Sequence, residues 1–306
     1  MGRLDGRVMI VTGAGRGLGR AHALFAAAQG AAVIVNDLGA DLYGQGREAT
    51  PAEQVVGEIE ALGGRAAVSH HDVADWDQAK DLVRFALATF GGLHVLVNNA
   101  GILRDRALAN MNEGEWDSVI RVHLKGHAAP TRHALAYWRD QAKGGQPVKA
   151  SVIHTSSISG LAGNFGQANY GAAKLGIVAL SRVTALEGAK YGVRSNAVSP
   201  SARTRMTLGI PGGAELVAAP KDPRAFDPWD PANVSPLIAW LAQADCPATA
   251  QIFHVAGRRL YLMALPAVAH TLASERRWTL EALDGALAGK LVSQLSAEEF
   301  FEGLGP

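Results

Sequence analysis

Disulfide cross-links within the chain are excluded at once, because Cys246 is its one cysteine among 306 residues. A lone thiol fits a reducing compartment. Long hydrophobic runs are missing too: no stretch approaches the roughly twenty uninterrupted apolar residues of a membrane-spanning helix. The start, "MGRLDGRVMIVTGAG", has no long apolar run behind a basic segment, so no signal peptide is expected. The last residues, "GLGP", match no recognised address or lipidation signal. A cytoplasmic protein without a membrane partner is the expectation. Excess charge of either sign is also lacking: 29 Lys and Arg stand against 28 Asp and Glu, a formal net charge of +1. That balance gives no reason to expect nucleic acid or anionic lipid as a partner. Metal ligation has little support among the ten histidines. His70 and His71 adjoin, but neighbours on a strand point to opposite faces, and no third ligand follows at helical spacing. The six tryptophans are scattered singly, as packing residues are, although Trp229 sits in a long loop where it would line a substrate channel.

What is abundant is apolar: 48% of the residues are hydrophobic and 19% charged, a composition for a compact globular protein with a sizeable core. Short β-rich runs, "RVMIVT" (7–12), "AAVIVN" (31–36), "RAAVSH" (65–70), "LHVLVN" (93–98), "KASVIHT" (149–155), "VRSNAVS" (193–199) and "AQIFHV" (250–255), alternate with Ala-rich helical segments. Helices are expected over 18–29, 51–62, 78–90, 115–141, 168–190 and 231–244. Most of the strand runs are continuously apolar, as strands covered on both faces are, so the alternation predicts a doubly wound parallel α/β sheet. Residues 1–306 are expected to form a single domain, with a core at 5–255 and a helical C-terminal extension at 256–306 that serves packing or oligomer contacts. The Gly- and Pro-rich segment 208–231 is too long for an ordinary connection and is expected to be a functional lid or a mobile segment.

"VTGAGRGLGR" (11–20) sets glycines at 13, 15, 17 and 19 between the first strand and the first helix. Glycine permits the tight turn and lets backbone amides approach a diphosphate, while the helix start offers unpaired N–H groups and a favourable dipole. A dinucleotide site is the expectation. The second strand ends at Asp37, whose carboxylate suits ribose hydroxyls and repels a 2′-phosphate. The next basic residue is Arg47, so NAD is expected over NADP. Asp72, closing the third strand, is a candidate partner for an adenine amine.

"ANYGAAKLG" (168–176) places Tyr170 one helical turn ahead of Lys174, so that both face one volume. Ser157 lies thirteen positions before Tyr170, with Gly160, Gly163 and Gly166 between them to turn the chain. Together "TGAGRGLG", "NNAG" at 98–101, Ser157 and "YGAAK" resemble the short-chain dehydrogenase/reductase family, over about residues 5–255. Within it, "VNDLGADLYGQG", "NNAGILRDRALANM" and "SGLAGNFGQANYGAAKLGIVAL" are similar to the (3R)-hydroxyacyl-CoA dehydrogenase domains of peroxisomal multifunctional enzymes of type 2 and their bacterial single-domain relatives.

The resemblance implies a Rossmann-type fold and an NAD-dependent oxidation of a 3-hydroxyacyl-CoA, including one with a sterol-like or otherwise bulky acyl chain. It further implies a homodimer or homotetramer. Tyr170 would be the general acid/base, Lys174 would lower its proton affinity and hold the nicotinamide ribose, and Ser157 would bind the substrate oxygen. An ammonium and an oxidised nicotinamide beside a phenol favour the phenolate over its ordinary pKa of ~10. The cofactor would lie against Gly13, Gly15, Arg16, Gly17, Leu18 and Gly19, then Asp37, Asp72 and Val73. Asn99, Ala100, Gly101, Tyr170, Lys174, Pro200 and Thr204 complete its bed. Three departures stand out. His123 in "VHLKG" replaces the Asn of many members, and either joins Lys174 through water or merely satisfies a backbone group. "PS" at 200–201 replaces the usual "PG". Hydratase and sterol-carrier segments have no counterpart here, so hydration would need another protein. Arg203 and Arg205 flank Thr204 and are candidates for CoA phosphates, or ordinary loop residues. Two other readings stay open, a hydroxysteroid dehydrogenase acting on free steroid alcohols and an NAD-binding sensor without turnover.

Overall fold

The continuous apolar runs emerge as the buried strands of a parallel sheet. The computed structural model describes residues 2–46, 50–209, 212–264, 266 and 268–290; Arg47 and the terminal "GLGP" lie outside the described residues. In chain order the elements are β1 (Val8–Thr12), α1 (Gly17–Ala28), β2 (Ala32–Asn36), α2 (Thr50–Ala61), β3 (Arg65–Ser69), α3 (Trp76–Phe90) and β4 (Val95–Asn98). There follow α4 (Glu113–Ile120), a π turn (Arg121–Lys125), α5 (Gly126–Lys143), β5 (Ala150–Thr155), α6 (Ile158–Ala162), α7 (Ala168–Gly188) and β6 (Val193–Ser201). The last are α8 (Arg205–Leu208), α9 (Gly213–Leu216), α10 (Ser235–Ala242), β7 (Ile252–Ala256), β8 (Arg259–Leu262) and α11 (Leu280–Leu287).

The sheet order is β3-β2-β1-β4-β5-β6-β7-β8, parallel throughout except for β8. The chain starts in the middle, winds outward one way to β3, and returns to lay β4 on the other side of β1. A crevice therefore opens at the carboxyl ends of β1 and β4, where an open α/β sheet holds its ligands. Helices α1, α2 and α10 cover one face, burying Ala23, Val55, Ile59 and Ile238 in one apolar cluster with the strands. Leu82 and Val83 of α3 and Trp138 of α5 fill the other face. Alanines on α1 let its backbone approach the sheet closely, and burial of these side chains away from water is the main stabilising term. Local signals fix the helix ends: the Asp75 side chain caps α3 at the Asp77 and Gln78 amides, Gly91 closes it at φ 77°, and Asn112 with Glu115 forms a capping box on α4.

Three expectations need correction. The helix over 115–141 is present but not uniformly α-helical, because a π turn at Arg121–Lys125 inserts an extra residue and places His123 among the buried residues. The segment 208–231 is not a bare loop: it carries the one-turn helix α9, and α8 directly precedes it. The extension from 256 begins not as helix but as β8, which pairs antiparallel with β7 from Ala256↔Arg259 to Phe253↔Leu262. An open edge on β7 offers a row of unpaired amides and carbonyls, and β8 satisfies them. Helix α11 appears farther on and buries none of its side chains.

Candidate active site

Ser157, Tyr170, Lys174 and His123 all line one cavity of about 660 Å³ at the carboxyl ends of the strands. β5 runs straight and buried to Thr155, and Ser157 then caps α6 by accepting from the Ser159 amide at 3.2 Å. α6 must lie against α7, and Gly160 makes this possible, since a Cβ there would stand 2.7 Å from the Leu175 amide nitrogen. That close approach sets Ser157 and Tyr170 on the wall of the same cavity. Lys174, one turn on, is 2% exposed and donates from Nζ to the Thr155 carbonyl at 2.6 Å.

The electrostatics depart from the simple expectation that Lys174 acidifies the phenol. Lys174 Nζ lies 5.4 Å from the centre of the Tyr170 ring rather than on its oxygen. Burial pushes the Tyr170 phenol up to about 12, opposed by the Ser157 hydrogen bond and reinforced by the charge of Asp105. Burial also brings the Lys174 ammonium down to about 7. In the protein by itself desolvation is therefore the largest influence on the phenol.

His123 meets the backbone of Ile102. Its Nε2 lies 3.1 Å from the Ile102 amide nitrogen and 2.8 Å from the Ile102 carbonyl oxygen, while Nδ1 has no protein partner. Burial brings its pKa down to about 3, so it is neutral.

The glycine turn is shaped as expected, with two kinds of glycine in it. Gly13 (φ 64°) and Gly17 (φ 53°) face the cavity in the left-handed region, where glycine is the natural residue. Gly15 and Gly19 stand behind it. The Gly15 amide donates to Asp37 Oδ2 at 2.8 Å, and a Cβ on Gly19 would lie 2.1 Å from the Gly13 carbonyl oxygen. Asn99 braces the turn by donating to the Thr12 and Gly13 carbonyls at 3.0 and 3.2 Å. Arg16, Leu18, Asp37, Asp72, Val73, Asn99, Ala100, Gly101, Pro200 and Thr204 all reach the cavity wall. Asp72 is committed elsewhere in part, to the Ala74 amide at 2.8 Å and to Arg121 at 2.6 Å.

These features have counterparts in known proteins. The sequence profile of a family described as short chain dehydrogenase matches residues 7–208. The chain belongs to the short-chain dehydrogenase/reductase family. It is 44% identical over 270 residues to the hydroxyacyl-CoA dehydrogenase ChsB1 of Mycobacterium tuberculosis, covering 86% of this chain and 81% of that one. It is 44% identical over 253 residues to the peroxisomal multifunctional enzyme type 2 of Mus musculus, covering 83% of this chain and 32% of that protein. The chain thus spans about a third of that relative's length. A crystal structure of a short chain dehydrogenase from Mycobacterium avium superposes with a TM-score of 0.85 at 46% identity, covering 96% of this chain and 99% of that one. The enzyme is an oxidoreductase acting on CH–OH groups, related to hydroxyacyl-CoA dehydrogenases, and members of its family use a nicotinamide cofactor.

The residues present fit such a cofactor. α1 starts with no side-chain cap and no acidic residue in its first turn, so its leading amides and its positive dipole end remain for a diphosphate. A Cβ on Gly13 would close the cradle, standing 2.8 Å from Ala100 Cα.

Sequence reasoning missed much of the substrate side. Asp105 and Gln167, 62 positions apart, are joined by a Gln167 Nε2 to Asp105 Oδ2 bond of 2.7 Å. Leu42, Ile102 and Leu103 wall the cavity, with Leu103 donating its amide to the Leu42 carbonyl at 3.1 Å. Only the tertiary fold brings these together, and no local spacing signals them. Trp229 does reach the cavity, as do Leu216 and Val217. Arg203 is turned inward onto Asp227 and the Val217 carbonyl, contacts that engage its guanidinium.

Proposed function

We propose that this enzyme interconverts a 3-hydroxyacyl-CoA and the corresponding 3-oxoacyl-CoA, with NAD as the cofactor. The observation that carries the reading is that Ser157, Tyr170 and the buried Lys174 line one cavity together with the glycine turn. The substrate class follows the hydroxyacyl-CoA dehydrogenase relative, whose alignment covers most of both chains. Apolar side chains of Leu42, Leu103, Leu216 and Trp229 on the cavity wall suit a long or bulky acyl chain.

Gly13, Gly17 and the start of α1 would hold the diphosphate, Asp37 the adenosine ribose, and Tyr170 and Lys174 the nicotinamide ribose. Pro200 and Thr204 would flank the nicotinamide. When bound, the oxidised nicotinamide accepts the hydride that leaves the carbinol carbon. Ser157 donates its hydroxyl to the substrate oxygen. Tyr170, as phenolate, takes the carbinol proton at Oη, and returns it in the reverse direction. Lys174 is oriented by the hydrogen bond that its Nζ donates to the Thr155 carbonyl. The NAD preference rests on Asp37, whose carboxylate would repel a 2′-phosphate. Leu175, Val183 and Leu186 leave apolar surface exposed along α7, which suits the proposed homodimer or homotetramer.

The deciding experiment incubates the protein with NAD and a panel of 3-hydroxyacyl-CoAs of both configurations, beside free steroid alcohols, and follows NADH. Turnover of the thioesters is expected. Turnover of the steroid alcohols alone would replace this reading with a hydroxysteroid dehydrogenase. NAD binding without any turnover would point to a sensor.

A further inference from the structure

The π turn at Arg121–Lys125 puts three successive residues, Arg121, Val122 and His123, on the wall of the main cavity. His123 faces the Tyr170 ring, whereas Arg121 reaches the turn that follows β3. There it donates from Nη2 to Asp72 Oδ2 at 2.6 Å, while Asp72 Oδ1 accepts from the Ala74 amide at 2.8 Å. Asp75, the next acid along that turn, is engaged as the cap of α3. The turn packs directly on the helix, and Gly126, which follows the π turn, makes this possible. A Cβ there would stand 3.1 Å from Val73 Cγ2 and 3.8 Å from Ala74 Cβ. Asp72 is buried, yet about half of the Arg121 side chain (49%) stays exposed. A guanidinium held at one edge by a buried carboxylate keeps its plane fixed and leaves a flat face open.

We propose that Arg121 is a base-binding residue of the dinucleotide site: its guanidinium face packs on the face of the purine, and Asp72 holds it flat. The inference rests on the reading of this cavity as a dinucleotide site. β2 and β3 are paired neighbours, and Asp37 and Asp72 follow their ends on the cavity wall. A dinucleotide whose ribose meets Asp37 therefore sets its base against Asp72, Val73 and Arg121. A planar cation is attracted to an aromatic face, and such stacking is indifferent to the groups on the rim of the base. Asp72, whose two oxygens already accept, then serves the base by positioning Arg121 rather than by reading the adenine amine. The consequence is a site that takes hypoxanthine, with an oxo group in place of that amine, nearly as well as adenine.

The test titrates wild type, Arg121→Ala and Arg121→Lys with NADH and with reduced nicotinamide hypoxanthine dinucleotide, followed by nicotinamide fluorescence, and with ADP-ribose, followed by calorimetry. None of these readouts needs turnover. Wild type is expected to bind the two dinucleotides with similar affinity. Arg121→Ala should weaken both of them and ADP-ribose alike, by about five- to thirtyfold. Arg121→Lys keeps a charge beside Asp72 but has no flat face, so it should recover little of that loss. Affinities that Arg121→Ala leaves unchanged would overturn the inference while the proposed function stands, since turnover of the thioesters reads the latter. Full recovery in Arg121→Lys would also overturn it, because charge alone would then suffice. So would a wild type that rejects the hypoxanthine dinucleotide by more than about tenfold, because Asp72 would then be reading the amine. Should Arg121→Ala lose the folded circular-dichroism signature, Arg121→Lys decides: weakened binding supports the inference and wild-type affinity overturns it. If wild type takes NADPH in place of NADH, the NAD preference fails and the series run with NADPH still tests Arg121. Binding of neither dinucleotide would remove the cofactor reading and this inference together.

Discussion

The imidazole of His123 stands edge-on to the Tyr170 ring, with centroids 5.1 Å apart and planes at 89°. Gly101 makes room for it, since a Cβ there would lie 2.3 Å from His123 Cε1. Gly101→Ala must therefore push the imidazole off the Ile102 backbone or into the tyrosine. Overpacking of this kind costs about 1–3 kcal/mol, and turnover should fall with it. Adding His123→Ala to Gly101→Ala should recover much of the stability, because the colliding ring is gone. Chemical denaturation of the two single variants and the double variant gives the coupling. Additive losses would show that the two positions do not meet.

Tyr170→Phe removes the only atom proposed to carry the proton and keeps the ring that packs on His123. Turnover is expected to fall by about 10²–10⁴, while NAD affinity measured by fluorescence stays within about twofold. A variant retaining most of its activity would mean that another group is the base.

Asp37 does two things at once. Its Oδ2 accepts from the Gly15 amide at 2.8 Å and its Oδ1 from the Gly39 amide at 2.7 Å, so it braces the turns on both sides of the position proposed for the adenosine ribose. Arg16 and Arg205 share that wall, and the Asp37 charge offsets their mutual repulsion. Asp37→Ala should raise the NADP to NAD ratio of kcat/KM by at least about tenfold, since a like charge at close range costs on the order of 1–4 kcal/mol. Weaker thermal stability should accompany it. An unchanged ratio would end the ribose assignment.

Three buried histidines make the fold sensitive to acid. His22, bonded to Ser235 Oγ at 2.9 Å, and likewise His123 and His154, have pKa values brought down to about 3 by burial. In the unfolded chain each titrates near 6.5, so below that pH the unfolded state binds more protons and stability is lost as pH falls towards 3. At pH 5 each histidine costs about 2 kcal/mol relative to pH 8. The thermal midpoint should fall steeply between pH 7 and pH 5. A flat midpoint over that interval would mean that these imidazoles are not held neutral.

What the sequence made legible follows from where its signals are local. β1, β2, β4 and β5 announce themselves because every one of their residues is buried. The glycine turn and the Ser157, Tyr170 and Lys174 spacing are equally local, being fixed by one turn, one cap and one helix face. The π turn was hidden because its cause is a contact between His123 and the Ile102 backbone, 21 positions away. β8 was hidden because Leu260 and Leu262 are more than half exposed and give no inward-facing pattern. The unpaired edge of β7 recruits it, and that edge exists only once the sheet has formed.

The join between Asp105 and Gln167 belongs to the same hidden class and leads to a pH effect. Gln167 directly precedes α7, and Asn164 donates to its Oε1 at 3.0 Å while its Nε2 holds Asp105. Arg106 donates its amide to the Gly166 carbonyl at 2.8 Å, so the chain after β4 is zipped to the entry of the helix that carries Tyr170. The Asp105 carboxylate adds negative charge near the phenol and raises its pKa. Asp105→Asn keeps the size and an acceptor oxygen for Gln167 but removes the charge. The phenolate should then form more readily, and the pH at which alcohol oxidation reaches half its maximum should move downward. Profiles of kcat/KM against pH for the two proteins measure this directly. A purely structural role for Asp105 would lower the whole profile without moving its midpoint, and an upward movement would reverse the sign of the interaction.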